Sequence, residues 1–168
     1  NQCIGLAANI QHIKLKGKTT ARRRAYLTSN KEMARIYQQT QATTHPGLLY
    51  YHWSRNNDET ALTRLLALEN TAEVETSAEM QFYLASYYIK VDEHKAIGFL
   101  YNTLALNQAK QVPDPEIYTS LISLFYKHHQ YKHAYIFAKI AELSGIKNID
   151  ILLIEQQLIA QGKNLESL

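Results

Sequence analysis

The feature that most constrains the fold is a helix–turn–helix pattern that recurs every thirty-odd residues. Three polar turns, NDETA (57–61), DEHKA (92–96) and QYKHA (130–134), each lead to an alanine at the same point of the following helix. These alanines are Ala61, Ala96 and Ala134, so the repeat spans 35 and then 38 residues. A single helical hairpin cannot bury its own apolar face, and neighbouring hairpins must therefore stack. The spacing predicts a short α-solenoid of antiparallel hairpins.

The rest of the sequence also has helical periodicity. Apolar residues recur three or four positions apart, no useful length alternates with a period of two, and the chain has only 6 Gly and 3 Pro in 168 residues. An all-α fold of about seven to nine helices is expected. The predicted helix 19–42 has Leu27, Met33, Ile36 and Tyr37 among its apolar contacts, and Ser29-Asn30 is a place where it could break. Pro46 is predicted in the first turn of a helix, and further helices are predicted to begin at N-caps, which are Asp58, Ser77, Asp92 and Asp114. Gly145 is predicted to end a helix in a left-handed conformation, and the last helix is predicted at residues 149–160.

Three segments are predicted within a single compact domain. Residues 1–44 carry N-terminal helices and a basic stretch, residues 45–146 carry the hairpins, and residues 147–168 form a C-terminal capping helix. In the last hairpin, Ala134, Ala138 and Ala141 lie at i, i+4 and i+7, which puts small side chains on one face. This face should allow a neighbouring helix to approach closely. Ala96 and Gly98 are expected to allow close packing in the previous unit.

The residues of the last hairpin resemble a tetratricopeptide repeat. That repeat has two positions for large residues, then one for an aromatic residue and three for small residues. The residues at these positions are, in order, Tyr118, Leu121, Phe125, Ala134, Ala138 and Ala141. Ile122 departs from the usual Gly or Ala, and Ala138 from the usual aromatic residue. Residues 78–107 resemble a Sel1-type repeat, and the whole chain is similar to an uncharacterised proteobacterial family with members labelled lipoproteins. These resemblances imply a helical scaffold for protein–protein interaction, and the last implies a cell-envelope location without a known activity.

Histidines crowd the segment YKHHQYKHAY (126–135). His129 and His133 are four apart, which on one helix would place two imidazoles on the same face, and a metal-dependent enzyme around His128, His129 and His133 is one hypothesis. The repeat pattern instead predicts that residues 128–131 are a turn, with His129 ending one helix and His133 beginning the next. No Asp or Glu lies between Glu116 and Glu142. The turn is favoured, and no metal is expected.

The stretch KLKGKTTARRR (14–24) holds six basic residues and no acid: Lys14, Lys16, Lys18, Arg22, Arg23 and Arg24. It could contact nucleic acid, anionic lipid headgroups or an acidic protein. Consecutive arginines on a helix point about 100° apart, so the three cannot all meet one phosphate backbone. Solvation, or pairing with the acidic residues at 69–79, is the favoured interpretation.

The sequence has no Gly-rich phosphate loop and no nucleophile elbow, so no enzyme and no cofactor are predicted. One cysteine, Cys3, cannot form an internal disulfide and leaves the compartment open, the cytoplasm included. The favoured function is binding of a protein or peptide in a groove, and the alternative is an anionic partner on residues 14–24. Candidate groove residues are Tyr50, His52, Gln81, Ser86, Thr119 and Ser123.

Overall fold

The computed structural model describes residues 16–107 and 114–163, and within those ranges it is helical with no strand. The all-α prediction is therefore confirmed. The helix expected before residue 14, together with Cys3 and Lys14, lies outside the described residues. The described helices are α1 (Lys16–Thr40), α2 (Pro46–Asn56), α3 (Glu59–Leu66), α4 (Ala72–Thr76), α5 (Ala78–Tyr88), α6 (Glu93–Leu106), α7 (Pro115–Lys127), α8 (Tyr131–Leu143) and α9 (Ile151–Ala160).

The contacts divide the chain into two compact units, Asn1–Arg64 and Leu65–Leu168. The boundary falls inside α3. The sequence interpretation treated the chain as one domain with internal boundaries at 44/45 and 146/147, and those boundaries stay a prediction.

In the second unit, each helix from α4 to α9 packs against the next one along the chain, most extensively α5 with α6 and α7 with α8. This is the nearest-neighbour pattern of helical hairpins, although a solenoid arrangement stays a prediction. Ala134, Ala138 and Ala141 are all fully buried, which confirms the small-residue face. Leu100, Leu121 and Leu158, from three different helices, fill the core with them.

The helix ends follow their sequence signals. Ser77 and Asp92 accept hydrogen bonds from the backbone N–H groups of Met80 and Lys95, at 3.3 and 3.0 Å. The Asp114 carboxylate likewise accepts one from the N–H of Glu116. Such caps satisfy N–H groups that have no partner within the helix. Helix α1 runs through Ser29-Asn30 without a break, and the short helix α4 was not predicted.

The turn predicted at residues 128–131 is confirmed over residues 128–130, since α8 already begins at Tyr131. His129 has a left-handed φ of 56°, and the N–H of Gln130 donates to the carbonyl of Phe125 at 2.8 Å. This six-to-one bond closes the C-terminal motif that usually uses glycine. The same motif recurs after α8, where Gly145 has a φ of 81° and Ile146 donates to Ala141. His129 therefore lies within the turn and His133 lies in α8, so the two imidazoles do not share one face of a helix.

Two glycines should respond oppositely to alanine. A Cβ at Gly145 would meet no atom within 4 Å, but its left-handed φ is costly for alanine. We expect Gly145→Ala to destabilise the second unit by about 1 kcal/mol. Gly98 lies in α6, is exposed and has the same free space, so its predicted packing role is wrong. Gly98→Ala should stabilise by about 0.5–1 kcal/mol. Urea unfolding followed by circular dichroism measures both, and shifts of the same sign would contradict this account.

Candidate functional site

The first unit has a groove between α1 and α2 with a volume of about 730 Å³. We call it the α1–α2 groove. None of its lining residues carries a charge: they are Met33, Ala34, Ile36, Tyr37, Gln38, Thr40, Gln41, Leu48, Tyr51, His52 and Asn56. The volume lies in the range of about 300–1,000 Å³ that is usual for ligand sites.

Helical spacing places the lining side chains together. Met33, Ile36, Tyr37 and Thr40 lie at i, i+3, i+4 and i+7 of α1, which is one face of a helix. The connection to α2 is held by Arg64, whose guanidinium donates to three successive backbone carbonyls, Gln41, Ala42 and Thr43. These bonds give hydrogen-bond partners to carbonyls of the segment that follows α1.

The rim of the groove is apolar and accessible. Met33 is 42 % exposed, Ile36 is 48 % exposed and Tyr51 is 40 % exposed. The sequence predicted Met33 and Ile36 as packing contacts, together with Leu27, which is 58 % exposed. The prediction that Leu27, Met33 and Ile36 are packing contacts is wrong, because α1 presents these apolar side chains at its surface.

The floor of the groove is polar and fully connected. His52 is 1 % exposed, with Nε2 2.9 Å from Oγ1 of Thr40 and Nδ1 3.3 Å from the amide nitrogen of Asn56. The Thr40 hydroxyl donates to the carbonyl of Ile36 at 2.8 Å, so its oxygen accepts from Nε2–H. Nδ1 then accepts from Asn56. Both ring nitrogens are engaged, as a buried imidazole requires.

Tyr37 joins this floor to the start of α3. Its ring stands edge-on to His52 with centroids 4.9 Å apart, and its hydroxyl donates to Oδ2 of Asp58 at 2.8 Å. The carboxylate of Asp58 also accepts from the backbone N–H groups of Thr60 and Ala61, both at 3.0 Å. The bond from Ala61, and then the one from Tyr37, lowers the pKa of Asp58. The bond to Asp58 raises the pKa of Tyr37.

The six predicted groove residues are distributed over both units. His52 lies in the groove floor and Tyr50 packs beside Trp53, with centroids 5.9 Å apart, in the first unit. In the second unit, Gln81 is buried and donates to the carbonyl of Val74 at 3.0 Å, and Ser86 is half-buried. Burial leaves His52 and Gln81 no surface for direct contact, so their role is to support neighbouring residues.

Thr119 and Ser123 are exposed one turn apart on α7, where a partner can reach them. Their role as contact residues stays a prediction. Sequence reasoning missed the rim residues Met33, Ile36 and Tyr51 as contact candidates. The signal for the first two was available, because their spacing with Tyr37 and Thr40 is that of a groove-facing stripe.

The basic stretch is only partly described, since Lys14 and the side chain of Lys16 lie outside the described residues. Lys18, Arg23 and Arg24 are exposed and Arg22 is half-buried, and none of these four pairs with a carboxylate among the described residues. Of the acidic residues named as alternative partners, Glu69 forms an ion pair with Lys95. That bond raises the pKa of Lys95.

The histidines of the second unit gather where α7 ends. Nε2 of His128 lies 2.7 Å from Oε2 of Glu93, close enough for an ion pair but without hydrogen-bond geometry, and Lys127 pairs with the same carboxylate. The ring of His94 stacks on His128 at 5.5 Å. The hydrogen bond from Lys127 is the main cause that lowers the pKa of Glu93. Within the described ranges, no three His, Cys, Asp or Glu side chains are arranged to hold a metal ion.

One family model, described as "Protein of unknown function (DUF2989)", matches residues 1–139. No curated protein and no solved structure matches the chain. Across residues 16–107 and 114–163, no helix has the length and apolar character needed to cross a membrane.

Proposed function

Because the chain belongs to DUF2989, a family whose description names no activity, we propose its function from its own surfaces: it is a non-enzymatic helical scaffold that binds a protein or peptide. The observation that carries this proposal is the α1–α2 groove, which combines an exposed apolar rim with an uncharged polar floor. The partner element is an amphipathic helix that lays its apolar side into the groove.

The composition of the groove supports a peptide as the occupant. Met33, Ile36 and Tyr51 offer apolar area that a partner helix would remove from water. Gln38 and Gln41 stand beside them with amide groups that can both donate to and accept from a peptide. Since no cation lines the groove, phosphate and carboxylate ligands have no counter-charge there.

The same lining supports a non-catalytic role. A general acid or base needs a ring nitrogen or carboxylate within hydrogen-bond reach of its substrate. The histidine of the floor, His52, uses both nitrogens within the protein, and Tyr37 uses its hydroxyl on Asp58. The resemblance of residues 118–146 to a tetratricopeptide repeat agrees with a scaffold in which α5–α8 stack as hairpins of a short solenoid.

Placing a charge on the rim should abolish partner binding. We expect Ile36→Lys to reduce capture of the partner at least about tenfold, since a buried unpaired ammonium is costly in an apolar contact. Leu27→Lys is the matched control, because Leu27 is exposed on the same helix but does not line the groove. The measurement is a nuclease-treated pull-down from source-cell lysate, quantified by mass spectrometry.

Two results of this pull-down would contradict the proposal. If no protein is enriched over an empty resin, or if Ile36→Lys captures as much as Leu27→Lys, the groove is not the binding site. A second candidate, an anionic partner on α1, is favoured by Lys18, Arg23 and Arg24, which are exposed and have no carboxylate partner among the described residues. It predicts capture that is lost with nuclease, or with glutamate at positions 22, 23 and 24, and that weakens steeply with salt.

A further inference from the structure

The turn between α7 and α8 concentrates potential positive charge. Residues 127–133 include five side chains that are cationic or become so on protonation: Lys127, His128, His129, Lys132 and His133. All of these except the half-buried His128 are exposed. Between Glu116 and Glu142 the sequence has no carboxylate to offset them. We call residues 127–133 the His-Lys turn.

One carboxylate reaches this turn from another helix. Glu93, in the first turn of α6, pairs with Lys127 and lies 2.7 Å from His128. This contact leaves His129, Lys132 and His133 without a carboxylate partner among the described residues. Because Lys127 lowers the pKa of Glu93, this carboxylate stays charged from neutral to mildly acidic pH.

His129 and His133, the two histidines without a carboxylate partner among the described residues, each contact a neighbouring side chain. The ring of His133 stacks on Phe125, with centroids 5.1 Å apart and planes 27° apart. Nδ1 of His129 lies 2.8 Å from the hydroxyl of Tyr131. Fixed donors lose less conformational entropy on binding than mobile ones.

We propose that the His-Lys turn is a docking surface for a carboxylate-rich segment of a protein partner, and that binding strengthens as the histidines take up protons. Histidine is the side chain whose ordinary range of protonation lies between about pH 5 and 8. Glutamate and aspartate of the partner stay largely ionised there. Complementary charge of this kind raises association rates and selects partners by sign. The surface is separate from the α1–α2 groove, and each can fail without the other.

The test uses a fluorescent peptide of alternating Glu and Ser and the full chain. Anisotropy should show binding that is at least about threefold tighter at pH 5.5 than at pH 8 and that weakens with added salt. A Lys-Ser peptide of equal length should not bind. The paired variant His129→Asn with His133→Gln should lose the pH dependence, since asparagine tolerates the left-handed φ of residue 129 and neither new side chain titrates.

Three further variants locate the effect. Lys132→Gln should weaken binding at both pH values, whereas Lys147→Gln, an exposed charge elsewhere in the second unit, should not. Ile36→Lys, which tests the groove, should leave this binding unchanged. The proposal is overturned if the peptide does not bind, if the pH dependence survives in the His129/His133 variant, or if glutamate at positions 22, 23 and 24 abolishes binding. Circular dichroism of each variant at both pH values confirms that it is folded.

Discussion

Replacing Ala138 by leucine is expected to destabilise the second unit by about 1–3 kcal/mol, since the added atoms have no space to occupy. Ala138 is 0 % exposed, and its helix α8 packs against both α7 and α9. Ala134 and Ala141 are equally buried, so the small-residue face holds α8 close to its neighbours along about two turns. Protein interiors are packed nearly as densely as crystals, and the larger side chain can enter only by displacing a helix or adopting a strained rotamer.

The measurement is urea unfolding followed by circular dichroism at 222 nm. Ala105→Leu is the matched control, because Ala105 is exposed on α6 and the same atoms are added without crowding. Its effect should stay within about 0.5 kcal/mol of wild type. Equal unfolding midpoints for the two variants would show that α8 is not closely packed. The substitution also bears on the resemblance to tetratricopeptide repeats, which usually place an aromatic residue where Ala138 stands.

The features that could be predicted from the sequence are those set by residues close together in the chain. The i, i+4, i+7 alanines of α8 and the caps at Ser77, Asp92 and Asp114 each depend on one helix or one turn. The turn at His129 was also predictable, because the repeat pattern places polar residues there. A cap or a small-residue face has the same physical meaning in any fold, so local pattern was sufficient.

The features that could not be predicted depend on which helix packs against which. An apolar position on α1 shows that something should cover it, but not whether α2 does, and Ile36 proved to be exposed. His52 looked like a surface contact, yet it is buried because Thr40 and Asn56 supply partners for both its nitrogens. Glu93 stands in the first turn of α6, where an acidic residue has no need of a distant partner. Its contact with His128 joins residues 35 positions apart, and no spacing rule indicates it.

Removing the carboxylate of Asp58 should destabilise the first unit. This side chain accepts three hydrogen bonds at once, from the N–H groups of Thr60 and Ala61 and from the hydroxyl of Tyr37. Asp58→Ala loses an N-cap, which is worth about 1–2 kcal/mol, together with the link to α1. Trp53, the one tryptophan of the chain, lies in the same unit, so its fluorescence in urea reports this loss.

The free energy of unfolding at acid pH separates the contribution of the Asp58 charge from that of its capping role. The pKa of the folded carboxylate is lowered, so its extra stabilisation is fully present above the ordinary aspartate pKa of about 3.9 and is lost as pH falls through the folded value. Asp58→Asn keeps a good cap without the charge. Wild type should therefore be more stable than Asp58→Asn at pH 7, and the free energies of unfolding of the two proteins should converge as the pH falls. A constant difference in the free energy of unfolding down to acid pH would show that the charge contributes nothing.

Adding Tyr37→Phe to both proteins removes one donor and keeps the ring. It should reduce the difference in the free energy of unfolding between wild type and Asp58→Asn if the hydroxyl stabilises the charged form.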